Sequence, residues 1–112
     1  MKLTKKEVQL LSFQIILHAG NARSLAMEAI KFAKAYHFEK AYVKIAEAKE
    51  ALIEAHAEQT KLLQEEVNGQ AIDHTLILIH AQDHLMNAMT VRDLATEMIE
   101  MYERMKKLEA KL

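Results

Sequence analysis

LILIHAQDHLMNAMTVRDLATEMIEMYERM, residues 76–105, is the stretch on which the fold turns. With each residue set about 100° around a helix from the last, Leu78, Ala81, Leu85, Ala88, Ala95 and Ile99 gather on one side. That spacing predicts a helix packed on other helices. A second stripe runs through Leu76, Asp83, Asn87, Thr90, Leu94, Met98, Met101 and Met105, with His80 and His84 along its edge. A helix in a lone three-helix bundle needs one buried side and a polar opposite side. Here the opposite side is apolar over its C-terminal half, so copies of the helix are expected to meet along it in a coiled-coil-like seam. Methionine also fills gaps in ordinary cores, but the second stripe is continuous and offset from the first, which favours the seam.

Two helical segments are predicted before it. LTKKEVQLLSFQIILHAGNARSLAMEAIKFAKA opens with a capping box, Thr4 as the cap and Glu7 three residues on. Val8, Leu11, Ile15 and Leu25 fit helical spacing, and Gly20-Asn21 is expected to weaken the helix or to mark a close approach. The pattern breaks around AYHFEKA, where no glycine or proline marks the turn. FEKAYVKIAEAKEALIEAHAEQTKLLQEEV then places Ala41, Ile45, Ala48, Leu52, Ala55 and Leu62 on one face and stops at Asn68-Gly69. Asp73 is a plausible cap for the third helix, which runs to the chain end. Thirty-residue helices would be roughly 45 Å long, and short connections make neighbours antiparallel.

Composition agrees with a single all-α domain over residues 1–112. There is no proline, there are only two glycines, and 51% of residues are hydrophobic. Fifteen basic residues against sixteen acidic ones leave a net charge of −1. That balance gives no electrostatic reason to expect nucleic acid or an anionic membrane as a partner. The absence of cysteine excludes disulfides, thiolate metal sites and a cysteine nucleophile. MKLTKKEVQL reads as a charged helix start and not a signal peptide, and no apolar run approaches membrane-spanning length. A soluble, cytoplasmic chain is expected.

Chemistry concentrates in the third helix. A carboxylate in a packed seam must be protonated, hydrogen-bonded or paired with a cation. If symmetry gathered several copies of Asp83, a hard divalent ion such as Mg²⁺ would relieve their repulsion. Taken alone, Asp83 could equally face solvent. His18, His37, His56 and His74 share no spacing, whereas His80 and His84 are four apart and so neighbours on one face. Such a pair could ligate a metal, although neither Glu-x-x-His nor His-Glu-x-x-His accompanies it. It could instead supply a nucleophilic imidazole to a phosphoryl donor, with the second ring hydrogen-bonding the transferred group. From spacing alone, an ordinary structural pair is the better reading than either.

The motifs GNARS (20–24), FEKA (38–41), EAHAEQT (54–60), HAQDHLM (80–86) and EMIEMYERM (97–105) carry a closer resemblance. Together they resemble the lactose/cellobiose-type enzyme IIA of the bacterial phosphoenolpyruvate-dependent sugar phosphotransferase system, over nearly the whole chain. AYHFEKA departs from that family's usual glycine-containing turn. The resemblance implies a homotrimer of antiparallel three-helix subunits, nine helices in all, with the third helices on the three-fold axis. It implies that His80 is phosphorylated on Nε2 by the histidine-containing phosphocarrier protein HPr. The group then passes to a cysteine of the IIB component, for sugar uptake through the membrane-embedded IIC. His84 matches a family histidine beside the phosphorylated one, and a contact to the phosphoryl group is expected of it. Asp83 matches the aspartate through which three subunits share one Mg²⁺. Gln59 and Gln82 are further candidate donors, with Gln82 the weaker because it lies well round the helix from His80. The competing readings are a non-enzymatic oligomeric metal-binding bundle, with Asp83, His80 and His84 as ligands, and a structural helical adaptor.

Overall fold

In the computed structural model, which describes residues 2–112, three helices follow one another: α1 (Lys5–Lys34), α2 (Phe38–Val67) and α3 (Leu76–Ala110). No strand occurs among the described residues. The bundle is a rod of 62 × 21 × 19 Å. Helix α1 is the spine: it lies against both α2 and α3, which touch one another far less.

Several helix ends follow from local chemistry. The capping box at the start of α1 forms as expected, with Thr4 Oγ1 accepting from Glu7 N at 3.1 Å and the Glu7 carboxylate accepting from Thr4 N at 3.3 Å. Helix α2 ends at Asn68, and Gly69 takes a φ of 95° that suits glycine. The turn without glycine between α1 and α2 is made by Tyr36 at a φ of 64°. Its ring stacks on Phe38 at 5.9 Å, and Lys106 of α3 lies over both rings, at 6.0 and 5.8 Å. These contacts offset the steric cost of a left-handed non-glycine residue.

Two expectations need correction. Asp73 does not cap α3; Thr75 does, its hydroxyl accepting from Leu78 N at 3.2 Å. The helix starts where its apolar period starts, and Asp73 belongs to the non-helical connection that Ile72 anchors in the core. Nor does Gly20 interrupt α1. The helix runs through it with Ala19 and Ala22 both fully buried, and a Cβ added at Gly20 would meet nothing within 4 Å. Burial of the flanking alanines holds the register, and no neighbour makes a close approach there.

The core is rich in alanine. Ala19, Ala22, Ala26, Ala29 and Ala33 of α1 are fully buried, as are Ala41, Ala48 and Ala55 of α2 and Ala81, Ala88 and Ala95 of α3. Small side chains let helix axes come close, and the larger Ile15, Leu85 and Ile99 fill the remaining space. All six residues predicted for the packed side of α3 are its buried residues. Leu25 and Ile45, predicted for the core, are half-buried at its margin.

Candidate functional site

His80 stands on the second turn of α3, near the end where the chain begins. Gln70, in the α2–α3 connection, pairs both ways with Leu3: Leu3 N donates to Gln70 Oε1 at 2.9 Å and Gln70 Nε2 donates to Leu3 O at 2.6 Å. This clamp, with the Thr75 cap, fixes the start of α3 against the start of α1. His80 is therefore carried on a rigid helix and not on a loop.

The pair expected from the spacing is present. His80 is exposed and His84 half-buried. Their Nε2 atoms lie 3.1 Å apart, and the rings meet edge to face with centroids 4.4 Å apart and planes at 84°. An exposed imidazole nitrogen is a competent nucleophile near neutrality, and a second ring in contact offers an N–H to whatever the first receives.

Asp83 is exposed and lies on the far side of α3 from the core. Along the same stripe Leu94 is 53% exposed and Met101 64%, with Met98 and Met105 also exposed. The apolar stripe is thus real in the folded chain and uncovered by it. Within one chain, no group of three or more His, Asp or Glu side chains gathers as a metal cluster among the described residues. A carboxylate oxygen suits a hard divalent ion, but one chain brings a single such ligand to that point.

The other sequence candidates are not brought to His80. Gln59 donates to Gln82 across α2 and α3. Gln82 lines a groove there with Leu62, Leu63, His74 and Ile79, on a different face of α3 from the histidines. His74 pairs with Glu66 at 3.7 Å, and His37 sits at the N-terminus of α2 without a side-chain capping bond. His56 lines a second α2–α3 groove with Met89 and Arg92.

One surface escaped the sequence reading. Leu10, Phe13 and Leu17 form an exposed patch on α1, with Phe13 at 59% and Leu17 at 69%. Because α1 and α3 run parallel, the patch lies at the same end of the rod as His80. The signal was available: these residues are spaced i, i+3, i+7 on the side opposite Val8, Leu11 and Ile15.

Comparison with known proteins bears on the fold and on the family. The family model described as PTS system, Lactose/Cellobiose specific IIA subunit, matches residues 10–103. The lichenan-specific phosphotransferase enzyme IIA component of Bacillus subtilis (strain 168) is 54% identical over 99 residues, 88% of this chain and 90% of that protein. The crystal structure of the PTS cellobiose-specific enzyme IIA from Bacillus anthracis superposes with a TM-score of 0.86 at 51% identity, covering 100% of this chain and 97% of that one. The IIA(Chitobiose) of the Escherichia coli phosphotransferase system, solved in complex with HPr, gives a TM-score of 0.76 at 40% identity, covering 89% and 97%. No helix among the described residues is long and apolar enough to cross a membrane. The chain belongs to the lactose/cellobiose-specific IIA subunits of the sugar phosphotransferase system, and is a phosphotransferase component rather than a complete enzyme by itself.

Proposed function

We propose that this chain carries a phosphoryl group on His80, taking it from phospho-HPr and passing it to a IIB component for uptake of a lactose-, cellobiose- or chitobiose-type sugar through IIC. The observation that carries the reading is the exposed His80 ring in contact with His84, on a helix that the core holds rigid. Phosphoryl transfer asks the protein mainly for in-line positioning and for donors to the spread negative charge. His80 Nε2 supplies the attacking nitrogen. His84 supplies a donor within one helical turn. The related chitobiose protein solved with HPr supports HPr as the donor. Such a carrier works in the cytoplasm, where its protein donor and acceptor are found.

The working form is a homotrimer in this proposal. The exposed α3 stripe supports it: three copies packed along Leu94, Met98, Met101 and Met105 would place the third helices on a three-fold axis, nine helices in all. Asp83 of each subunit would then hold one shared Mg²⁺. The ion, when bound, supplies positive charge that offsets three gathered carboxylates.

The test is labelling with phosphoenolpyruvate, enzyme I and HPr. An acid-labile, base-stable label on the wild-type chain is expected, and none on His80→Ala, whose helicity should be intact. Full labelling of that variant would overturn the assignment.

A further inference from the structure

His80 and His84 meet nitrogen to nitrogen, with 3.1 Å between their Nε2 atoms. At that distance a neutral pair holds one proton between the rings: one ring donates an N–H and the other offers a lone pair. Each neutral imidazole has a single N–H, so the contact couples the tautomer of one ring to that of the other. Among the described residues no other hydrogen bond holds either ring.

Building on the reading of His80 as phosphoryl acceptor, we propose that His84 is a positioning residue that selects the reactive tautomer of His80. The His84 Nε2–H donates to His80 Nε2, and the proton of His80 resides on Nδ1. The reverse arrangement would put a proton on His80 Nε2 and leave no lone pair at the nitrogen that attacks. A solitary neutral histidine in water prefers that unreactive form, with its proton on Nε2. His84 corrects the preference.

The same N–H then serves twice. The lone pair of His80 Nε2 forms the new N–P bond as the P–N bond of the donor phosphohistidine breaks. The donor ring, protonated from solvent on its other nitrogen, takes back that bond's electron pair and leaves as neutral imidazole. The phosphoryl unit moves as PO₃⁻. His80 keeps its Nδ1 proton, so its ring is positive until that proton goes to solvent. His84 transfers no proton; its N–H exchanges a nitrogen acceptor for a phosphoryl oxygen. A donor spent on the lone pair before transfer and on the phosphoryl group after it favours neither state strongly, which suits a reversible relay.

The test is long-range ¹H–¹⁵N NMR on histidine-labelled protein, read on the neutral form of both rings. Expected in wild type are an unprotonated Nε2 and a protonated Nδ1 on His80, with the opposite pattern on His84. His84→Ala should return His80 to the Nε2–H form and slow its labelling several-fold. His84→Gln, whose amide N–H reaches the same point, should restore both the tautomer and the rate. Alanine and glutamine both favour helix, so circular dichroism should be unchanged in either variant. A wild-type His80 with Nε2 protonated, or a tautomer that ignores His84→Ala, would sink the proposal while leaving a labelled His80 as carrier. Absence of any label on His80 would remove the carrier reading, whatever the tautomer.

Discussion

Tyr42 of α2 donates its hydroxyl to the carboxylate of Glu103 on α3, joining two helices that otherwise meet sparingly. The hydrogen bond to Glu103, with desolvation and the charges of Glu103 and Glu100 adding to it, pushes the Tyr42 pKa up to about 12 from 10.0. The folded chain therefore keeps a proton that the unfolded chain releases near pH 10. This contribution to stability is complete below pH 10 and is lost as pH rises to about 12. Tyr42 is partly exposed, so Tyr42→Phe should cost less than about 1 kcal/mol at neutral pH. Thermal melts should show the gap between wild type and variant closing between pH 10 and 12.

Tyr36 reverses the usual order of glycine and alanine. At its φ of 64° an alanine keeps the backbone cost and loses the ring, whereas a glycine loses the ring but relieves the backbone. Tyr36→Ala should therefore be the less stable of the two, by about 1 kcal/mol. Urea unfolding of both variants reads the difference, and equal midpoints would mean that the turn relaxes out of the left-handed region.

Gly20 sits mid-helix with open space where a Cβ would be. Gly20→Ala should stabilise the isolated chain by about 1 kcal/mol, from helix propensity and a less flexible unfolded state. A fall in melting temperature would show that something approaches this point in solution.

Asp83 separates an axial carboxylate from a surface one. Replacing a buried charge by an apolar group of similar bulk is often neutral or stabilising, by about 1–4 kcal/mol. Asp83→Leu should still form trimers, melt at or above the wild-type temperature and ignore EDTA, while the wild-type melt falls with EDTA. Sedimentation and melts of both proteins measure this. A wild type indifferent to chelator, and a variant indistinguishable from it, would defeat the shared-metal proposal.

Most of the fold was legible because helical periodicity and capping are local. Thr4 and Glu7 make the predicted box, and the six core positions of α3 are its buried residues. Misreadings fell where tertiary packing overrides a local signal. Gly20 is held helical by the buried alanines beside it, and Thr75 outcompetes Asp73 because Ile72 pins the preceding connection into the core. At the site, i, i+4 spacing brought His80 and His84 together, as spacing along one helix must. The pairing of Gln59 with Gln82 could not be read the same way. Contacts between helices depend on rotation about their axes, which the pattern of one helix does not set.

The role of α1 as spine has a consequence for how the rod breathes. Because α2 and α3 depend on α1 more than on each other, either can lift away while the other stays docked. Opening of this kind exposes the amides of the departing helix alone. In an isolated subunit, hydrogen exchange should therefore be slowest near Ile15, Ala19 and Ala22, and faster along α2 and α3 at equal depth. Outside the trimer, the helix that bears His80 would be, in exchange terms, a removable member seated on a permanent one, and assembly along α3 would make it permanent.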